Sequence, residues 1–236
     1  MRPADQIVVR KYVKDRSHSR SNSLRNYLRA ATAQDHAQLD ARLSALDWGS
    51  VPDYRYFLEA SAAALLPVEA ALVDANVIGV FPDWERRSRR SAILCDLEYI
   101  GGCLPPLAAQ PRLGFEGELG ATYVLEGSRL GGEVLLKRIA GAGDSTILCA
   151  TSYLSHGSGQ RFWPTFVDRL EKYASQIESR TAVVVAARQT FKLFASTFAR
   201  SGPLGTWTKL ADETDSNGAL NDPTLPAPWR LWPARN

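Results

Sequence analysis

Apolar residues recur every three to four positions through most of this chain, and no convincing polar–apolar alternation interrupts them. A helix turns about 100° per residue, so this spacing lines up positions i, i+3, i+4 and i+7 on one face. It predicts helices near 24–46, 53–75, 84–103, 117–140, 160–176 and 179–199. The run VVVAARQTFKLFASTF opens with three valines, as a strand would. However, Val184, Arg188, Phe191, Phe194, Ala195 and Phe198 continue at helical spacing. The expected fold class is all-α, a multi-helical single domain.

Within the first helix, LRNYLRAATAQDHAQLDARLSAL, an apolar stripe runs through Leu24, Leu28, Ala31, Leu39, Leu43 and Leu46. Arg29, His36 and Asp40 lie on its flank, within roughly 40° of one another if the helix is continuous. Such a face suits a metal-bound imidazole. One ring nitrogen binds iron, a carboxylate one turn away takes the other N–H, and an arginine two turns away neutralises an acidic ligand edge. The alternative is an ordinary half-buried helix histidine beside a solvated arginine.

The fourth expected helix carries YVLEGSRLGGE, residues 123–133, with Gly127, Gly131 and Gly132 inside it. Each interior glycine costs about 0.5–1 kcal/mol relative to alanine. Tyr123, Gly127 and Gly131 are four apart and share a face nearly bare of side chains, while Gly132 loosens the helix locally. Either another helix packs very close there, or a flat ligand lies against the backbone.

Composition narrows the setting. The chain has 236 residues and is 45% hydrophobic, which suits one domain with a sizeable core. Apolar runs such as SAAALLPV and TAVVVAA fall short of the roughly 20 residues of a bilayer span, so no membrane span is expected. Cys95, Cys103 and Cys149 form no CxxC pair, and their odd number argues against a disulfide framework; a reducing cytoplasm is the expected compartment. Residues 1–25 hold seven Arg/Lys against Asp5 and Asp15, a local charge of +5 that leaves about −2 on the rest. Residues 1–23 therefore read as a solvated, basic, disordered tail, with a transit-type peptide or a weak nucleic-acid or lipid contact as alternatives. Residues 201–236, rich in Pro, Gly, Asn and Asp and carrying Trp207, Trp229 and Trp232, read as a second tail that packs partly back.

Other features carry less. The run ERRSRR, with Arg86, Arg87, Arg89 and Arg90, reads as a solvated helix face, with docking of an acidic electron-transfer protein as the alternative. His18 and His156 have no second His or Cys at ligand spacing and read as structural or solvated. Ser155, His156 and Asp168 are too loosely arranged for a hydrolase triad. Glu98 and Glu126 lack the ExxH pairs of a di-iron site.

Two separated motifs in order, LRAATAQDHAQLDARL and LGATYVLEGSRLGGEVLLKRI, with DWERRSRRSAILCDLEYIG between them, resemble the haem oxygenases, in particular their bacterial biliverdin-producing branch. The resemblance covers about Leu24–Arg200 and implies a domain over 24–200 with haem between a proximal N-terminal helix and a glycine-broken distal helix. It implies that His36 binds haem iron, that Asp40 supports that histidine, and that Arg29 meets a haem propionate. Tyr123 and Arg188, or Lys192 beside it, are further propionate contacts, and Arg129 matches a basic residue that helps seat haem. Gly127 and Gly131, with Ser128 and Gly132 beside them, let the backbone approach iron-bound dioxygen. Mammalian members place an aspartate to organise distal water, and no acid stands beside Ser128 in GSRLGG.

The implied activity is cleavage of haem, both substrate and cofactor, by O2 and reductase electrons to biliverdin, Fe2+ and CO. A neutral histidine ligand leaves ring attack open because it does not push O–O cleavage as a thiolate does. The implied partners are a ferredoxin or flavodoxin with its reductase and a bilin-binding photoreceptor, with no nucleic acid. A haem-binding or haem-sensing protein without turnover is the runner-up. A related helical enzyme acting on another cofactor precursor, as thiaminases and quinone-cofactor synthesis enzymes do, is the third reading.

Overall fold

A computed structural model describes residues 23–104, 107 and 109–200. Apart from Ser23, the two expected tails, 1–23 and 201–236, lie outside the described residues. Those residues form helices and no strand, giving the all-α body that the spacing predicts.

The first expected helix is two: α1 (Leu24–Ala31) and α2 (Ala33–Ser44). Ser23 caps α1 by accepting from Asn26 N–H, and Glu171 supplies a carboxylate to the next donors, Leu24 N at 3.1 Å and Arg25 N at 2.9 Å. The break falls at buried Thr32, whose hydroxyl donates to the Leu28 carbonyl at 2.8 Å, a back-bond that bends helices. Arg29 therefore sits on α1 and His36 on α2. The phase calculated for one continuous helix holds only for His36 and Asp40.

The core is built around α3 (Val51–Asp74), which is apolar on every side and buried over most of its length. Leu58, Leu65 and Leu72 have no exposed surface, and each such burial is worth about 1.5–3 kcal/mol. By length and apolarity α3 could cross a membrane, but 83% of its most apolar window is covered by the rest of the protein, as in a core helix.

After the one-turn α4 (Val77–Val80), the expected helix over 84–103 is also split, into α5 (Trp84–Arg87) and α6 (Arg90–Tyr99). Glu69 of α3 causes the turn between them: its carboxylate accepts from the Ser88 hydroxyl at 2.5 Å and from Arg89 N–H at 2.8 Å, substituting for helical bonds. The long helix α7 (Phe115–Ala142) then crosses the body, followed by α8 (Ser145–Cys149), α9 (Ser152–Ser155), α10 (Phe162–Tyr173) and α11 (Arg180–Arg200). Buried Asp96 of α6 holds the start of α9, accepting from Ser152 N at 3.0 Å and Tyr153 N at 2.7 Å. α9 is thereby pinned to α6.

Helices α7 and α11 pack closest at Gly120. A Cβ there would stand 2.4 Å from the Val183 carbonyl oxygen and 2.9 Å from Ala187 N, so only glycine fits. One half-turn earlier, Glu118 is 6% exposed; its Oε2 and the Thr122 Oγ1 one turn on have no partner among the described residues. Burial pushes the Glu118 carboxyl up to about 7. Its folded pKa exceeds the unfolded value of 4.5, so the stability it confers is full below pH 4.5 and is lost as pH rises through about 7. Glu118→Gln is expected to flatten that slope and to be the more stable chain at about pH 8. Urea midpoints at about pH 5 and pH 8 that differ equally in both chains would refute this.

Candidate functional site

One cavity lies among α2, α3, α7, α9 and α11. On α2 its wall is Leu39 and Leu43; on α7 it is Ser128, Gly131, Gly132 and Leu135. His36 sits one turn before Leu39 and packs edge-on against Phe191 of α11 with ring centroids 5.8 Å apart. Phe191 is itself one turn before the lining residue Phe194, so His36 adjoins the wall without lining the enclosed volume. The His36 side chain is 61% exposed, and its Nδ1 lies 2.8 Å from Oδ2 of Asp40. With Nδ1 engaged, Nε2 is the nitrogen left for a further partner.

The three glycines of α7 meet three different surroundings. A Cβ at Gly131 would find nothing within 4 Å, so the backbone there borders open space. At Gly132 it would meet the Leu154 carbonyl oxygen of α9 at 3.2 Å, a close helix approach. At Gly127 it would rest on the Trp163 ring at 3.6 Å, ordinary contact that alanine would tolerate. The bare face expected over two turns is thus bare only around Gly131, because α9 and Trp163 cover the rest.

Tyr123, expected with Arg29 at one edge of the site, feels the Arg29 charge. Tyr123 is half-buried; burial raises its hydroxyl pKa, and Thr32 and the Arg25 and Arg29 charges offset this only in part. Trp163 packs on Tyr123 at 6.0 Å, and the Arg25 guanidinium lies 6.0 Å over the Trp163 ring. Arg188 points elsewhere: its Nε is 2.8 Å from Oδ2 of Asp35, a carboxylate 9% exposed and adjacent to His36. That pair ties α11 to α2. Lys192 is exposed on the next turn of α11.

The ERRSRR run is not the solvated face expected of it. Arg87 is 1% exposed and Arg89 4%. Arg87 Nη1 donates to Glu126 Oε2 at 2.8 Å, and Nη2 lies 2.9 Å from Asp83. Arg89 Nη2 donates to Ser128 Oγ at 2.9 Å and to the Leu125 carbonyl at 3.0 Å, with its guanidinium 4.9 Å over the Tyr153 ring. The turn at Ser88 aims alternate arginines inward, and Glu126 neutralises one of them. Arg86 stays exposed, bonded to Gln160 at 3.0 Å.

Arg89 was therefore missed as a site residue, and so was His156, which lines the same cavity. Burial first, then the Arg129 and Arg89 charges, push the His156 imidazole down to about 4, so it is neutral. Arg129 is taken up by Glu126 at 3.1 Å, by His156 at 3.0 Å and by the Arg87 carbonyl. A clue was present in the sequence: Glu69 and Glu126, inside apolar helices, needed buried partners.

The family model for heme oxygenase matches residues 110–200, which hold α7 to α11 but not α2. No curated protein matches the sequence. A solved haem oxygenase from Neisseria meningitidis, in its NO- and CO-bound forms, superposes with a TM-score of 0.66 at 22% identity, covering 76% of this chain and 92% of that one. At that identity the likeness speaks for the fold, and it extends beyond the matched segment. The chain is thus similar to the haem oxygenase family in sequence over α7 to α11, and shares the helical fold of a solved haem oxygenase over most of its length.

Proposed function

We infer that the protein is a haem oxygenase, opening haem with O2 and reducing equivalents to biliverdin, Fe2+ and CO. The observation that carries this reading is the open backbone at Gly131, in the matched segment, across a cavity whose α2 wall continues to His36. The residues fit a haem: a cradle that a side chain would fill, and an imidazole whose Nδ1 is already held by Asp40, leaving Nε2 as the iron ligand. When bound, haem supplies both the iron chemistry and the ring that is oxidised.

The chain's own groups bind and orient. Asp40 fixes the tautomer and plane of His36. Arg29 and Tyr123 are the propionate contacts, and Arg188 serves the site through Asp35, holding α11 to the histidine helix. Gly127, with Gly131 and Gly132, keeps the distal helix slim, and Arg89 clamps Ser128 beside them. Electrons come from a ferredoxin- or flavodoxin-type donor with its reductase, and the cytoplasm is the proposed compartment.

One observation favours the second reading, a haem binder without turnover: the Ser128 hydroxyl hydrogen goes to the Leu125 carbonyl at 2.8 Å and is not offered to the cavity. Hemin added to the purified chain, then reduced in air, separates the two. A Soret band that falls as a biliverdin band grows is the expected result. A stable Soret band makes the protein a binder, and no spectral shift refutes both readings.

A further inference from the structure

We propose that His156 supplies the distal hydrogen bond that Ser128 cannot, donating from Nε2–H to a small ligand on the Gly131 side of the cavity. The inference rests on the haem reading above.

Arg129 Nη1 lies 3.0 Å from His156 Nδ1 and also donates to the His156 carbonyl at 3.0 Å. A guanidinium can only donate, so Nδ1 is the acceptor and the ring hydrogen sits on Nε2. Arg129 is itself fixed by Glu126, and the imidazole lies nearly parallel to the Phe162 ring, 19° apart with centroids at 6.5 Å, so the plane of the donor is set from two sides. Ser128 has no hydrogen to spare: it donates to Leu125 and accepts from Arg89. His156 lines the same cavity as Ser128 and Gly131. Burial first, and then the cationic Arg129 and Arg89 that face the ring, keep it neutral. A neutral imidazole N–H then takes the place of the missing acid as the group that orders a distal ligand.

The test uses the full chain loaded with hemin and titrated with azide. His156→Asn keeps an oxygen where Nδ1 accepts from Arg129 and removes the Nε2 donor; His156→Gln returns an amide N–H near the Nε2 position. The Asn variant is expected to bind azide roughly fivefold to tenfold more weakly, the worth of one hydrogen bond. The Gln variant should recover part of the loss, with hemin affinity and melting temperature unchanged in both. Unaltered azide affinity in a hemin-loaded Asn variant overturns the proposal alone. So does nitrogen-15 NMR of the hemin-free wild type at about pH 7 showing the proton on Nδ1, a readout that stands even if a variant fails to fold. Failure of the wild type to shift the hemin spectrum before azide is added overturns the haem reading as well.

Discussion

His36→Ala is expected to erase the axial-histidine signature of the hemin complex and to reduce turnover by more than the roughly 10- to 100-fold that loss of an outer hydrogen-bond partner costs a metal site. The fold should be little affected, because the His36 side chain is 61% exposed and its ion-pair partner Asp40 is equally exposed. Asp40→Asn then calibrates the effect. It keeps an oxygen acceptor for Nδ1–H but drops the charge, and should fall within the 10- to 100-fold range. Added imidazole should restore part of the His36→Ala spectrum by entering the space left by the ring. Unchanged spectra in His36→Ala would remove His36 from the site and leave α2 as mere scaffolding.

The second large effect is a pair of opposite outcomes on one helix. Gly131→Phe is expected to leave the melting temperature nearly unchanged, since a side chain there starts in open space, yet to abolish haem turnover by filling the cavity. Gly120→Ala is expected to do the reverse. Its methyl would sit 2.4 Å from the Val183 carbonyl, against backbone that cannot move aside without parting α7 from α11. Overpacking of that kind costs about 3 kcal/mol or more, and in a chain of this size lowers the melting temperature by roughly 6–12 °C. Any Gly120→Ala protein that remains folded should still turn over haem. Wild-type activity in Gly131→Phe would end the argument that a ligand lies against that backbone.

The two glycines show how far local reading goes. Gly131 and Gly132 carry the same intrinsic helix cost and stand side by side in GSRLGG. One borders open space and the other touches the Leu154 carbonyl of α9, a short helix that Asp96 of α6 holds in place. Gly120, the position where glycine is most strictly required, carries no signal in the sequence, because its reason is a carbonyl 63 residues away on α11.

The arginines repeat the lesson with charge. A run such as ERRSRR is hydrophilic by composition, and most such runs face water. Arg87 is buried because Glu126, 39 residues on, holds a carboxylate inside the body that needs a partner; Arg89 is buried because Glu69, 20 residues back, takes its backbone N–H and turns the chain so that the guanidinium reaches Ser128 and the Leu125 carbonyl. Likewise Arg188 meets Asp35 across 153 residues, and an expected contact with a ligand edge becomes a brace between helices.

By itself, then, the sequence determined the helices, the His36–Asp40 pair and the family resemblance. Helical bonds and i, i+4 contacts join neighbours along the chain, so their residues are legible in order. Only the tertiary structure decided where α1 and the ERRSRR segment break, which glycine stays bare, which arginines turn inward and that His156 shares the cavity. Each of these depends on a partner brought from another helix, and burial and neutralisation are properties of the assembled body, not of any stretch of chain within it.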